Sequence, residues 1–284
     1  MTAALTLLAL IAFASNSLLT RMALGAHAID AATFTAVRVM AGAVVLVALA
    51  RSRDGSWAGL RGGGVAGPVT LFAYAAPFSF AYVRIGAAVG ALVLFGAVQL
   101  AMLGYGLFHG ERPSPRTWAG LALATSGLVL LTAPAASRPD PLGVALMAAA
   151  GVAWAIYTIA GRASREPVAA NARNFLWSSP LALLLVAGSA GPTVVSVRGV
   201  ALAMVSGGLT SGLGYVIWYR ALPRLSVTQA AVAQVGVPVL AAAGGVALLG
   251  EPLSLRLILS GAAVLGGIGL VLSSRRWMAA PTSS

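Results

Sequence analysis

Cysteine and lysine are both absent from the 284 residues, and only six side chains are acidic and two are histidine. Without cysteine there is no disulfide and no thiolate-held metal, and redox compartment leaves no mark on the chain. No physical reason accounts for the missing lysine; all 18 basic side chains are arginine. Charged residues make up 8% of the chain, against about 25% in a soluble domain. With 59% of residues hydrophobic, there are more apolar side chains than a core can hide. Lipid has to be the solvent for most of the surface.

Scarcity also removes chemistry. Asp30, Asp54, Glu111, Asp140, Glu166, Glu251, His27 and His109 all stand in loops or at the ends of apolar runs. A membrane enzyme needs a nucleophile with its base, paired acids or a cluster of metal ligands, and no such set is present. No cofactor and no metal site are expected. The net charge of +12 would suit nucleic acid if the arginines formed a stripe. They fall instead singly or in pairs between apolar runs, as topology signals do. The expected partners are the lipid bilayer and a small-molecule substrate, not nucleic acid; a monomer is compatible with this, and the oligomeric state is left open.

What is present is largely one unit written twice. Phe108-His109-Gly110-Glu111-Arg112-Pro113-Ser114-Pro115-Arg116 returns about 140 positions later as Leu248-Leu249-Gly250-Glu251-Pro252-Leu253-Ser254-Leu255-Arg256. Upstream the same shift pairs Gly67 with Gly207, Thr70 with Thr210, Arg84 with Arg224, Gly96 with Gly236 and Gly104 with Gly244. The pairs Arg84/Arg224, Glu111/Glu251 and Arg116/Arg256 carry the most weight, because charge is rare here. Residues 1–138 and 139–284 are therefore expected to be two copies of one unit.

A span needs about 20 apolar residues. Ten segments meet that length: roughly 2–20, 31–50, 63–82, 86–108, 116–135, 141–160, 173–190, 199–219, 226–249 and 255–273. The first lacks a basic start and leads into further spans, so it reads as a membrane helix and not a cleaved leader. Ser114 with Pro115 is a helix start, the serine capping and the proline at the first helical position. The small pairs Gly86/Gly90, Gly106/Gly110 and Gly208/Gly212 are expected to let helices approach closely.

The side shared with the N-terminus holds twelve arginines: Arg51, Arg53, Arg61, Arg112, Arg116, Arg162, Arg165, Arg173, Arg220, Arg224, Arg275 and Arg276. The other side holds five: Arg21, Arg84, Arg138, Arg198 and Arg256. This bias predicts cytoplasmic termini and an inner (plasma) membrane location. Five spans per copy is odd, so the second copy enters the membrane upside down. The expected fold is an all-α polytopic membrane protein: ten transmembrane helices as two inverted-topology five-helix repeats. Pairs of this kind enclose a midplane site in many secondary transporters, which work by alternating access.

Each half ends in Gly-Glu followed by a glycine-bearing last helix: Gly110-Glu111 with Gly120 and Gly127, then Gly250-Glu251 with Gly261 and Gly267. Together with Phe34-x-x-x-Arg38 in the second span, this resembles the drug/metabolite transporter superfamily and its EamA-type ten-helix permeases, over essentially the whole chain. The resemblance implies movement of small metabolites, and one branch exports aromatic amino acids. The second half carries Val237-Pro238 in its fourth span, where the family implies a proline, but the first half has Ala97-Val98. A lipid flippase, or an exporter of other metabolites or drugs, remains an alternative.

Arg38 is the strongest single feature, about 10 Å inside its span from the outer end. A charge at that depth either faces a wet cavity or snorkels to the headgroups. Asn16 lies at a comparable depth, for substrate or for a neighbouring helix. Gln99 and Gln234 lie mid-span in the fourth helix of each copy. Tyr74 and Phe78 are one turn apart around Pro77, and Trp154 and Tyr157 are likewise within one turn. For all of these, packing and cavity lining stay open. If they line a path, it combines one positive charge, amides and aromatic faces, which suits an amino acid, aromatic or otherwise apolar. With no titratable group on that path, export driven by the solute gradient, without ion coupling, is expected. Glu111 and Glu251 read as structural carboxylates at the head of the following helix, and Tyr82, Tyr219 and Trp277 as interface anchors.

Overall fold

The computed structural model describes residues 1–54, 64–132, 139–189, 191 and 193–274. Arg61, Arg138, Arg275, Arg276 and Trp277 lie outside these, so the sidedness assigned to them finds no geometry here. Among the described residues the chain is helical, with one isolated antiparallel bridge, Ile29 to Val195, tying two loops together.

The helices are α1 (Thr2–Thr20, extended by a π turn Arg21–Gly25), α2 (Ala31–Asp54), α3 (Ala66–Phe108), α4 (Pro115–Thr132), α5 (Pro141–Gly161) and α6 (Pro167–Gly188). They continue with α7 (Val197–Val205, running into a π segment Ser206–Leu213), α8 (Gly214–Ala221), α9 (Val227–Gln234), α10 (Gly236–Leu249) and α11 (Leu255–Ser273). Their starts follow the sequence. Asp140 accepts the Gly143 N–H with Pro141 at the first helical position. Ser196 and Ser254 accept from Gly199 and Leu257, and Ser226 forms a reciprocal capping box with Gln229. Ser114 accepts the Thr117 N–H, and Pro115 opens α4.

Seven helical stretches among the described residues are long and apolar enough to cross a membrane. Segments 63–82 and 86–108 fall in the single element α3, 43 residues long, which unbroken would reach about 65 Å, twice the hydrocarbon thickness. It is broken at Gly86, where φ 69° and ψ 174° leave the helical region. The described parts of segments 116–135 and 173–190 lie in the helices α4 and α6, whose hydroxyl, amide and arginine side chains dilute their hydropathy. Large apolar side chains such as Val44, Leu100 and Leu184 face outward, as a lipid-facing surface requires.

Three packed pairs organise the bundle: α3 with α5, α4 with α11 and α2 with α6. The α4–α11 crossing rests on glycine, since a Cβ at Gly120 would stand 2.7 Å from the Gly267 carbonyl oxygen and one at Gly127 would stand 2.8 Å from that of Ser260. Of the glycine pairs expected to bring helices together, Gly208 and Gly212 do so, against Val45 and Leu46 of α2. The other two pairs act differently. Gly86 breaks α3 while Gly90 meets Met147, and Gly110, at φ 84°, ends α3 while Gly106 makes room for Glu111.

Candidate functional site

The site is built where α2 crosses the π segment Ser206–Leu213. A Cβ at Gly207 would lie 2.7 Å from the Arg38 carbonyl carbon, so only glycine admits this approach. A π segment carries more than four residues per turn and rotates side chains relative to an α-helix. Here it turns Ser206 and Ser211 toward α1 and α2. As a result the Arg38 Nε donates to Ser211 Oγ at 3.0 Å. Its Nη2 donates to Tyr215 Oη at 2.9 Å and to Tyr74 Oη at 3.3 Å. The guanidinium carbon sits 5.4 Å from the Tyr74 ring centroid and 5.7 Å from that of Phe78.

Arg38 is 2% exposed, so it does not snorkel. No carboxylate among the described residues pairs with it, and its Nη1, also buried, has no acceptor. Asn16 belongs to the same network: its Oδ1 accepts from Ser206 Oγ at 2.6 Å and from Ser211 Oγ at 3.4 Å. Trp154 lies 4.9 Å from Tyr74 and 4.7 Å from Tyr215, ring centre to ring centre, and its Nε1 donates to Gln234 Oε1 at 2.5 Å. Phe13 closes the cluster edge-on to Trp154 at 5.4 Å.

Tyr157 stacks under Trp154 at 5.7 Å and begins a second polar layer. Its hydroxyl donates to Asn171 at 2.7 Å and accepts from Asn174 at 3.3 Å, and Tyr219 donates to its carbonyl at 3.1 Å. Tyr219 and Tyr82, read from sequence as interface anchors, are buried; Tyr82 donates to the Ser17 carbonyl at 3.3 Å. Seven of the eight sequence candidates thus form one cluster: Asn16, Arg38, Tyr74, Phe78, Trp154, Tyr157 and Gln234. Gln99 does not join it: its Oε1 accepts from Thr125 of α4 at 3.2 Å. Sequence reasoning missed Phe13, Ser206, Ser211, Tyr215, Asn171 and Asn174.

A cavity of about 30 Å³ sits among Phe13, Asn16, Tyr74, Phe78, Trp154 and Tyr215, room for one or two waters. A larger one of about 260 Å³ shares its walls at Ser17, Phe78, Leu94 and Phe95. It is lined by small and apolar residues of α3, α5 and α10, and at its mouth stand Arg21, Glu251 and Arg256. Arg21 and Glu251 form an ion pair. At the other end of the bundle, Glu111 accepts from the backbone N–H of Val227 at 2.6 Å and of Thr228 at 3.0 Å, and from the Thr228 hydroxyl at 2.7 Å. This is the head of α9, not of the following helix α4 as the sequence suggested. Val227–Leu249 is 23 residues, about 34 Å of helix, so the two glutamates stand at opposite ends. One glutamate borders the cavity that shares walls with the cluster, and the other is hydrogen-bonded to a helix head.

Residues 141–273 match the EamA-like transporter family. An uncharacterized protein of Pseudomonas aeruginosa is 48% identical over 276 residues, covering 97% of this chain and 96% of its own. An uncharacterized transporter of Archaeoglobus fulgidus is 26% identical over 236 residues, 80% of each chain. The threonine/homoserine exporter RhtA of Escherichia coli is 30% identical over 177 residues, 61% of this chain and 60% of its own. A solved crystal structure with 23% identity shares the fold at a TM-score of 0.79, over 97% of this chain and 100% of its own.

Proposed function

We infer that this multi-pass membrane chain is an exporter of the EamA-like transporter family, a membership supported by the family match over residues 141–273 and by the transporter relatives. Its cargo is a small amino acid, aromatic or otherwise apolar, whose carboxylate is received by Arg38. The single observation behind this reading is a buried guanidinium with, among the described residues, no carboxylate beside it and one nitrogen lacking an acceptor. A buried cation is costly unless paired, and here the solute supplies the pairing charge. Asn16, Tyr74, Phe78, Trp154, Tyr157 and Gln234 provide ring faces and amides around it, while Gln99 has its place in packing against Thr125. The name of RhtA gives threonine and homoserine as its cargo, and both are amino acids with an α-carboxylate.

The fold behind this is two inverted repeats, 1–138 and 139–284, with ten crossings once α3 is counted as two across Gly86. Support comes from contacts made twice. A Cβ at Gly207 would strike α2 at Arg38, and one at its register mate Gly67 would strike α6 at Asn174, 2.9 Å from the amide carbon. The proposed cycle is alternating access about the cluster, with both termini cytoplasmic. No acidic side chain among the described residues is buried, and no His, Asp or Glu cluster fit for a metal is found among them. Export is therefore driven by the solute gradient alone.

The test is solute counterflow with purified protein in liposomes. Aromatic and aliphatic amino acids are expected to exchange, and their decarboxylated amines are not. Equal exchange of the amines would overturn the role of Arg38, and flux that requires an imposed proton or sodium gradient would overturn the uncoupled cycle.

A further inference from the structure

The chain repeats Gly-Glu at the end of α3 and at the end of α10, and the two copies are engaged differently. Gly110 at φ 84° turns the chain so that Glu111 folds back over Gly106, with its N–H on the Gly106 carbonyl at 2.8 Å. Its carboxylate then takes three hydrogen bonds from the head of α9, a helix of the other half. Gly250 at φ 68° turns Glu251 back over Gly245 in the same way, but its carboxylate pairs with Arg21 instead.

The repeat names the partner that Glu251 lacks. Shifting Val227 and Thr228 back by about 140 positions gives Ala87 and Ala88. These are the first helical residues after the break at Gly86, as Val227 and Thr228 are the first after Ser226. Ser226 caps its helix with a side chain, whereas Gly86 has none to offer. Ala87, Ala88 and Glu251 all line the same 260 Å³ cavity. The cavity thus lies at the end where the carboxylate is away from the helix head, and at the other end the carboxylate is bound to one.

We propose that Glu111 and Glu251 are paired latches of the transport cycle: the shut end holds its glutamate on the helix head of the other half, and in the opposite state Glu251 leaves Arg21 for the first-turn amides at Ala87 and Ala88 while Glu111 lets go of Val227 and Thr228. This rests on the transporter reading and on the inverted repeat. Both glutamates are positioning residues, touching helix ends and not the solute. The exchange is physically even. A carboxylate is well held by helix N-terminal amides, and an exposed ion pair such as Arg21–Glu251 contributes little and is readily traded.

Because the chain has no native cysteine, a single Ala241→Cys in the cavity wall reports opening through its labelling rate with a membrane-impermeant maleimide, in membranes and without solute. Glu111→Ala frees the shut end and should slow labelling by about fivefold or more. Glu251→Ala removes the latch that would close this cavity and should leave labelling as fast or faster. Val227→Pro removes one donor at a position where proline is tolerated and should act like Glu111→Ala, covering the case in which that variant does not fold. Ala87→Pro should likewise act like Glu251→Ala. Equal effects of the two glutamate variants in the same direction, or unchanged labelling in Glu111→Ala and Val227→Pro, would overturn the latch. Such a result with solute flux intact leaves the transporter reading standing, whereas the expected labelling pattern with no flux from the unmodified protein rejects that reading and strips the two glutamates of a role in transport.

Discussion

Arg38 in the buried cluster and the pair Arg21 and Arg84 on the surface solve opposite problems in an unexpected order. The surface side chains, 44% and 43% exposed, each have a carboxylate, Glu251 and Asp140. The buried one has none among the described residues. Water screens the outer pairs, so those carboxylates add little, while the interior charge, which needs a partner most, is given three hydroxyls and two ring faces. Hydroxyl dipoles and ring faces hold a cation without neutralising it. Under the proposed function, a cluster arranged in this way keeps its affinity for an anion that arrives from outside.

Removing the central charge should break this comparison most severely. Arg38→Ala is expected to reduce carboxylate flux by about a hundredfold, the scale of losing one side of a buried charge pair, while the protein still folds, since an unpaired buried cation leaves with it. Arg38→Lys should fail almost as badly. A point charge on a flexible stem cannot span Ser211, Tyr74 and Tyr215 and still offer a free arm. Near-normal flux in either variant, measured by counterflow, would move the site elsewhere.

Supplying the missing charge from within should give a smaller and different effect. Ser211→Asp places a carboxylate where Arg38 Nε already donates. Thermal stability in detergent is expected to rise, while apparent affinity for amino acids falls about tenfold, because the solute now competes with an internal acid. Loss of stability with unchanged affinity would mean that the guanidinium is structural.

How much of this was legible depends on what each residue's neighbours in sequence reveal. Arg38 stood out because a charge within an apolar run has few uses. Tyr74 with Phe78, and Trp154 with Tyr157, were visible through helical spacing. Ser211 and Tyr215 were not: Ser-Gly-Leu-Gly-Tyr reads as small-residue packing, and the π winding of Ser206–Leu213 changes which side chains face inward, so a period of 3.6 points them wrongly. Gln99 and Gln234 share the fourth span of their copies without being register mates, and Gln99 turns to Thr125. Tyr82 and Tyr219 sit near span ends but beneath neighbouring helices, which sequence position alone cannot tell. The helix count shows the same limit. Composition finds two runs either side of Gly86, hydrogen bonding joins them, and only the positive φ marks the break.

The smallest effect belongs to the surface pair, and it fixes the other end of the comparison. Slight burial works to raise the Asp140 carboxyl, but the hydrogen bond and charge of Arg84 and the N–H groups of Gly143 and Leu142 outweigh it and hold the carboxyl below its ordinary value. A carboxyl depressed in the folded state adds stability above its unfolded-state value, ordinarily 3.8, and loses it as pH falls through the folded value. Asp140→Asn keeps a competent N-cap for α5 and removes only the charge. Thermal melts between pH 7 and pH 3 should therefore show a slight deficit for the variant at neutral pH that closes in the acid range, with counterflow at pH 7 unchanged. A loss of flux comparable to that of Arg38→Ala would erase the distinction between an arginine on the surface and the one proposed to receive the solute.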